Sequence, residues 1–273
     1  MSPSTQVLAT STEKPAAKAQ RLRPVPAVSR SIAILRLLGR SAEPMGVKAI
    51  AQSLGLVTST CLHILRVLVH EGLVQIDAAT KRYSLGVGML PLARSVIERN
   101  SFASVVQPVL DRLSAKWGVT AIGVQASGLD HMVVLALSRS HVPFSLHVDV
   151  GSRFPALISA TGRLVAAFGN HAWGEIERRF RALRWQQAPT LEVWKKEVEA
   201  VKRKGFSIDR GNYINGVTVV AVALPDMRNS VIHALVAAGV ADQLDNARSV
   251  ALANDMRQEA EKISALLFGS GTK

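Results

Sequence analysis

The side chains best placed for chemistry lie on one face of a helix that the sequence predicts after Gly55. In chain order, this face presents Ser59, Leu62, His63 and Arg66. The opposite face is an apolar stripe at helical spacing, formed by Cys61, Ile64, Leu65 and Leu68. A helix with a buried stripe and a polar outer face can present hydrogen-bonding groups to water or to a DNA groove.

A second helix must position this face, and the stretch from Ile50 to Leu73 predicts one. Gly55 favours a sharp end to the first helix, because glycine adopts the backbone angles that such an end requires. Thr58 or Ser59 is expected to cap the second helix, and Gly72 to end it. This pattern is typical of a helix-turn-helix, although an ordinary helical hairpin would share it.

The residues after this helix pair favour the DNA-binding alternative. Leu73 to Ile76 is a short β-prone run, Asp77 to Thr80 has the composition of a turn, and Lys81 to Leu85 returns as a second strand. A hairpin in this position predicts the wing of a winged helix. Its basic residues, Lys81 and Arg82, would contact phosphate without reading sequence.

Composition and charge limit the possible function classes. The net charge is +13, and the first 100 residues contain 13 Lys/Arg and 5 Asp/Glu, so +8 of it lies there. This excess favours a polyanionic partner. The single cysteine and the absence of a signal-like start or a long apolar run predict a cytoplasmic protein with no membrane segment. Without a phosphate loop, a GxSxG or HExxH motif or clustered histidines, we expect no enzyme activity, no metal and no cofactor.

The remaining segments predict two domains of the mixed α/β class. Residues 1–24 are expected to form a disordered basic tail, which is either a solvated leader or an arm that touches DNA. Residues 25–86 would form the winged helix-turn-helix. Its first helix contains Val28, Ile32, Leu35 and Leu38 at helical spacing, and Arg30, which lies off that stripe, is expected to contact DNA. Residues 87–100 would form an apolar linker helix that packs either on a second copy or on its own chain.

Residues 101–270 predict an α+β domain with a central sheet. Helices are expected over Phe102 to Trp117, with Pro108 kinking or breaking the helix, and from about Asp242 to Phe268. Strands are expected over 119–125, 132–137, 144–148, 217–224 and 231–240.

The order of these pieces resembles the IclR family of bacterial transcriptional regulators. The matching strings include SRSIAILRLL, KAIAQSLGLVTSTCLHIL, YSLGVGMLPLA, GSRFPALISATGRLVAAF and KGFSIDRGNYINGVTVVAVALPD. The resemblance spans residues 25–268. It implies a winged helix, a dimerising linker helix and a GAF-like domain that binds a small effector. It also implies a homodimer or a dimer of dimers on a roughly palindromic operator of double-stranded DNA.

The resemblance also assigns site residues. The recognition helix would begin at Thr58, Ser59 and Thr60. His63 stands where the family often has arginine, and Arg66 could supply the missing charge or bond to a guanine edge. The effector pocket would use the positions of Ser159, Ala160, Thr161, Gly162, Asp209, Val219, Val236 and Ala238.

The chemistry of the implied pocket suggests what it would bind. The N–H groups at the start of a helix, from Ala160 to Gly162, suit a carboxylate. Val219, Val236 and Ala238 are apolar where relatives that bind small keto-acids tend to have cysteine and serine. We therefore expect an apolar or aromatic carboxylic acid as the effector. Asp209 is either a ligand contact or a loop acid that bonds nearby backbone. The alternative for the whole protein is a constitutive DNA-binding regulator whose C-terminal domain senses nothing.

Overall fold

The fold comprises two units, which we describe from a computed structural model covering residues 25–99, 101–139, 148–224 and 231–268. The boundary between the units lies between Ser95 and Val96. The predicted tail, residues 1–24, lies outside the described residues, and so does nearly all of the strand predicted over 144–148.

The first unit is a winged helix. Its elements are α1 (Pro26–Leu38), β1 (Met45–Gly46), α2 (Val47–Leu54), α3 (Thr58–His70), β2 (Val74–Ile76), β3 (Arg82–Leu85) and α4 (Met89–Arg99), which crosses the unit boundary. The three short strands form an antiparallel sheet in the order β1-β3-β2. The core contains Ile34, Leu38, Ile50, Ala51, Cys61, Leu65, Leu68, Val74 and Tyr83.

Gly55 separates α2 from α3, as the sequence predicts. Its φ of 63° and ψ of 33° are left-handed, and its N–H donates back to α2. The next N–H, that of Leu56, also returns to α2 by donating to the Ala51 carbonyl at 2.8 Å. The two helices are bent by 113° relative to each other, which is within the range of helix-turn-helix pairs.

Two details of this unit differ from the sequence prediction. Val57 is the N-cap of α3 and provides no side-chain cap, so the predicted capping by Thr58 or Ser59 is wrong. On α1, Leu38 is buried and Leu35 packs against the core, but Val28 and Ile32 are exposed and Ile34 is buried. The helical spacing of apolar residues located α1 and identified its buried face only in part, because α1 has apolar residues on more than one side.

In the described ranges, no single helix is long and apolar enough to cross a membrane. The bent pair of α2 and α3 reaches that length and composition only when the two helices are taken together.

The second unit is built on a six-stranded antiparallel sheet in the order β6-β5-β4-β9-β8-β7. Its strands are β4 (Thr120–Ser127), β5 (His131–Ser138), β6 (Arg153–Pro155), β7 (Phe206–Arg210), β8 (Val217–Leu224) and β9 (Val231–Val240). Its helices are α5 (Ser101–Trp117), α6 (Ser159–Phe168), α7 (Trp173–Arg181), α8 (Leu191–Lys204) and α9 (Asn246–Phe268). The helix α5 runs through Pro108, so that proline does not mark a break.

The sheet is covered by helices on both faces. One core contains side chains of α5 and α9, and the other contains side chains of α6, α7 and α8. Successive residues of a strand point to opposite faces, so Val220 lies in the first core and Ala221 in the second. Burial on both faces explains why β8 and β9 are almost entirely apolar.

Local capping signals set the limits of α8. Thr190 is its N-cap, and the Thr190 hydroxyl accepts a hydrogen bond from the Val193 N–H at 3.3 Å. Gly205 ends the helix in a left-handed conformation with a φ of 75°. β7 begins directly after Gly205 and lies at the edge of the sheet, where it pairs with β8.

Candidate functional site

The outer face of α3 is the first candidate site. Ser59, His63 and Arg66 are exposed on it, whereas Cys61, Leu65 and Leu68 are buried against the rest of the unit. Of the other predicted DNA contacts, Thr58 is exposed, and Thr60 and Leu62 are half-buried. Burial raises the pKa of the Cys61 thiol above its ordinary value, so Cys61 is a packing residue with little thiolate character.

The wing is the second part of this surface, and Asp77 fixes its tip. The Asp77 carboxylate accepts hydrogen bonds from the N–H groups of Ala79 and Thr80 at 2.8 and 2.9 Å. The donation from Thr80, followed by that from Ala79, lowers the pKa of Asp77 below its ordinary value. This stabilisation is present above the carboxyl's unfolded-state pKa and is lost as the pH falls through the lowered value.

The basic residues of the wing have different surroundings. Lys81 is exposed and left-handed, with a φ of 56°, at the end of the tip. Arg82 is also exposed, but its guanidinium donates to the Pro44 carbonyl at 3.0 Å and so ties β3 to the loop before β1. Arg30 is exposed on α1. Lys81 is therefore the freer cation of the wing pair for a phosphate contact.

The second candidate site is an apolar cavity between the sheet and the start of α6. Its volume is about 80 Å³, a few times the space that one water molecule requires. It is lined by Ile122, Val124, Met132, Val134, Val148, Phe154, Ile158, Ser159, Thr161, Tyr213, Ile214, Val217, Val219, Val236 and Ala238. We call this space the α6 cavity.

Strand pairing brings the predicted strand residues of this cavity together. Val219 of β8 pairs with Ala238 of β9, and Val236 of β9 pairs with Ile122 of β4. These side chains point to the sheet face that α6 covers, so they form an apolar wall. The aromatic rings of Phe154 and Tyr213 complete the lining.

The polar end of the α6 cavity is formed by Ser159. This residue is 5% exposed, and its hydroxyl has no hydrogen-bond partner among the described residues. Its φ of 58° is left-handed, a conformation that residues other than glycine rarely adopt. Strained backbone of this kind and unpaired buried polar atoms both occur preferentially at functional sites.

The start of α6 adds unpaired backbone donors to this end. Ile158 is its N-cap and provides no side-chain cap, and the first backbone bond of the helix runs from the Gly162 N–H to the Ile158 carbonyl at 2.9 Å. The N–H groups that precede Gly162 in the first turn therefore have no partner within the helix. An anion placed there would also interact favourably with the helix dipole.

Three of the predicted effector residues do not line the α6 cavity. The N–H of Gly162 is already bonded, and a Cβ at Gly162 would lie 2.0 Å from the Leu157 carbonyl carbon and oxygen. Gly162 therefore permits close packing rather than offering a donor. Ala160 is fully buried outside the lining. Asp209 lies in β7 and is 1% exposed; its Oδ1 accepts from the Asn212 N–H at 2.9 Å, and its buried Oδ2 has no partner among the described residues.

Sequence reasoning missed several residues of this site. Tyr213 lines the cavity, and burial raises the pKa of its phenol, which stays protonated at neutral pH and can donate a hydrogen bond. Arg163, one turn into α6, is 1% exposed and bonds to several surrounding groups. Ile122 and Val124 are two residues apart in β4 and so lie on the same face of the sheet. The sequence does not show which strands flank β4, so it could not assign this face to the cavity.

Metal chemistry finds no support in the described ranges. No group of three or more His, Cys, Asp or Glu side chains there could hold a metal ion.

Comparisons with known proteins bear on both sites. Residues 94–265 match the family model described as bacterial transcriptional regulator IclR C-terminal, and residues 27–78 match the IclR helix-turn-helix domain. The chain is 27% identical over 248 residues to the glycerol operon regulatory protein of Streptomyces griseus. The alignment covers 89% of this chain and 96% of that protein.

Solved structures agree with these matches. An IclR transcriptional regulator from Alicyclobacillus acidocaldarius has a TM-score of 0.77 at 25% identity, covering 91% of this chain and 100% of that one. An IclR homologue from Microbacterium hydrocarbonoxydans, crystallised with 4-hydroxybenzoate, has a TM-score of 0.71 at 20% identity, covering 89% of this chain and 100% of that one.

Proposed function

The chain belongs to the IclR family of bacterial transcriptional regulators, and from that premise we propose that a small aromatic carboxylic acid controls its binding to operator DNA. Its family relatives are regulators rather than enzymes. The proposed effector is a single-ring acid, bound in the α6 cavity with its carboxylate at the start of α6.

The observation that carries this proposal is the contrast between the two ends of the cavity. Among the described residues, the buried Ser159 hydroxyl has no hydrogen-bond partner, and it lies beside first-turn N–H groups of α6 that have no partner within the helix. The rest of the lining is almost entirely aliphatic or aromatic. An apolar ring with one carboxylate matches both ends, because buried donors left unpaired are costly and an apolar wall favours an apolar ring.

Precedent supports the same ligand class, and size limits it. A cavity of about 80 Å³ is too small for a fused ring system, and it would have to widen to admit even one ring with a carboxylate. The homologue from Microbacterium hydrocarbonoxydans that was solved with 4-hydroxybenzoate provides a ligand of this chemistry. The Tyr213 phenol could donate to a ring substituent or to the carboxylate.

On the DNA side, we propose that α3 enters the major groove and that the wing lies along the phosphates. Ser59, His63 and Arg66 would face base edges, and Lys81 would contact the backbone. Two copies, paired through the apolar surface of α4, would read a roughly palindromic site. Leu90 and Leu92 of α4 are 66% and 58% exposed, which supports a second copy as their cover.

The direct test is recovery of genomic fragments by the purified protein, with and without 4-hydroxybenzoate or benzoate. We expect enrichment of one short palindromic site and a change in its recovery when the acid is added. Uniform, salt-sensitive recovery of all fragments would contradict specific regulation.

Thermal melting of the full chain separates the two candidate functions. A rise in melting temperature with either acid supports an effector-controlled regulator, since a ligand that binds only the folded state stabilises it. A specific DNA site with no melting shift across single-ring acids would instead favour the constitutive regulator. That alternative is supported by the small volume of the cavity and its aliphatic strand wall.

A DNA-contact prediction follows from the position of Arg66. Changing Arg66→Ala should weaken operator binding by about tenfold or more and random-DNA binding by less, because a bidentate base contact contributes about 1–3 kcal/mol of discrimination. Fluorescence anisotropy with operator and scrambled duplexes measures both affinities.

The matched control for this variant is Arg40→Ala, which removes one exposed arginine from the same unit outside α3. If Arg66→Ala loses the same factor of affinity for operator and for scrambled DNA, Arg66 contacts phosphate and does not read a base.

A further inference from the structure

Arg163 is a fully buried cation directly behind the polar end of the α6 cavity. It is 1% exposed and does not line the cavity. Burying a guanidinium is costly unless its donors are all matched, so its partners indicate what it does.

One partner of Arg163 is the backbone of Ser159. The Arg163 Nη1 donates to the Ser159 carbonyl oxygen at 3.0 Å. Ser159 is the left-handed residue of the cavity lining whose buried hydroxyl has no hydrogen-bond partner among the described residues. The guanidinium therefore bonds to the peptide group between Ser159 and Ala160, which carries one of the first-turn N–H groups of α6.

A second partner lies in the loop that carries two lining residues of the cavity. The Arg163 Nη2 donates to the Asn212 Oδ1 at 3.2 Å, and Asn212 directly precedes Tyr213 and Ile214, which line the cavity. Asn212 is itself held, since its N–H donates to Asp209 at 2.9 Å and its side-chain amide donates to the Gln187 carbonyl at 3.1 Å. Arg163 thus connects the start of α6 to the loop that carries Tyr213.

The third partner fixes the guanidinium from outside. The Arg163 Nε donates to the Glu197 carboxylate of α8 at 2.7 Å. The Glu197 side chain is 41% exposed, so the pair runs from the protein interior to the surface of α8. The planar guanidinium of arginine donates these three hydrogen bonds in fixed directions. A lysine ammonium on a flexible stem could not reproduce all three.

We propose that Arg163 is a positioning residue for the effector: it holds Ser159 in its left-handed conformation and sets the donors that recognise a carboxylate. Arg163 does not contact the ligand. Arg163 instead affects the selectivity of the cavity for a carboxylate over a neutral group of similar shape. Only the carboxylate needs several hydrogen-bond donors aligned at once.

The first test requires no ligand and is independent of the proposed function. A crystal structure of the Arg163→Lys variant should show Ser159 leaving the left-handed region and its carbonyl reoriented. The matched control, Arg181→Lys, makes the same change in the exposed pair with Glu177 and should leave Ser159 unchanged. Retention of the left-handed Ser159 in Arg163→Lys would overturn the proposal.

The second test rests on the proposed function and measures ligand selectivity by calorimetry with benzoate and benzyl alcohol. The ratio of benzoate to benzyl alcohol affinity should fall by about tenfold in Arg163→Lys and remain unchanged in Arg181→Lys. An equal loss for both ligands would indicate a merely structural role and would contradict the proposal.

Two further outcomes remain decisive. If Arg163→Lys does not fold, Glu197→Gln provides the second variant, because it keeps an acceptor but weakens the anchor, and it should lower the same ratio by a smaller factor. An unchanged ratio in that variant would contradict the positioning role of Arg163.

If the wild-type protein binds neither ligand, the proposed effector class fails, and the ligand-free structure still decides the role of Arg163.

Discussion

Gly162 occupies a position where no side chain fits. A Cβ there would lie 2.0 Å from the carbonyl carbon and oxygen of Leu157, and both are backbone atoms that cannot rotate away. The start of α6 can therefore approach the preceding loop only with glycine at this position. The geometry of the α6 cavity depends on this contact, since Ile158 and Ser159 lie between the two residues.

Gly162→Ala should lower the free energy of unfolding of the second unit by at least about 2 kcal/mol, through overpacking against backbone. All four tryptophans lie between Trp117 and Trp194, so denaturation followed by tryptophan fluorescence reports on this unit.

The control is Gly174→Ala in α7, where a Cβ meets nothing within 4 Å and alanine favours the helix. The close contact at Gly162 would be refuted if both alanine variants unfolded at the wild-type denaturant concentration.

The strand wall of the α6 cavity gives a second prediction at this scale. Val236→Ser should weaken binding of 4-hydroxybenzoate by about tenfold, because the new hydroxyl loses its hydration when the ring is bound. Calorimetry measures the affinity, and Val240→Ser, which changes the same strand outside the cavity, is the control. Unchanged or tighter binding by Val236→Ser would remove this wall from the effector site.

At the scale of elements, the turn between α2 and α3 depends on the backbone angles of one residue. Gly55 is left-handed, and an added Cβ would meet no atom within 4 Å. Any cost of a side chain there is therefore backbone strain, in contrast to the steric clash at Gly162. The recognition surface depends on this turn because it fixes the angle between the two helices.

Gly55→Ala should reduce the stability of the first unit by about 1 kcal/mol, the usual cost of a left-handed conformation for alanine. Far-UV circular dichroism of the full chain during urea denaturation measures the change. Gly46→Ala is the control, since Gly46 has ordinary angles, a φ of −76° and a ψ of 154°, and equally open surroundings. Equal behaviour of the two variants would show that the left-handed turn carries no strain.

For the whole molecule, the proposed pairing of two copies rests on the exposed leucines of α4. An exposed leucine is ordinary when isolated, but α4 exposes Leu90 and Leu92 on different sides, shortly after Val87, which is 77% exposed. The positive charge of the first 100 residues adds a general attraction to DNA, and pairing of two such units would increase it.

Leu90→Glu should shift the protein toward monomer, because it places a like charge on both sides of the proposed interface. Analytical ultracentrifugation should show the smaller species, and operator affinity should fall by about tenfold or more as the second half-site contact is lost. Leu266→Glu changes an equally exposed leucine of α9 and should leave both quantities unchanged. A Leu90→Glu protein with wild-type mass and affinity would exclude α4 as the pairing surface.

The sequence alone determined those features that depend on neighbours along the chain. Apolar spacing located α3 and its buried stripe, Gly55 marked the turn, and the composition of the wing predicted β2 and β3. The capping residues of α8 also act locally. By contrast, β7 was missed as a strand, because its apolar–polar alternation from Phe206 to Asp209 is only four residues long.

The family resemblance named five residues that line the α6 cavity, but only the tertiary structure added Ile122, Phe154 and Tyr213 to them and decided which side of α1 is buried. Val219, Val236 and Ile122 are far apart in the chain and become neighbours only through the order and register of β4, β9 and β8. The role of Arg163 depends in the same way on Asn212 and Glu197, which reach it from a loop and from α8. Such pairings are set by long-range packing and hydrogen bonding. They cannot be predicted from the local preferences that form a helix or a strand.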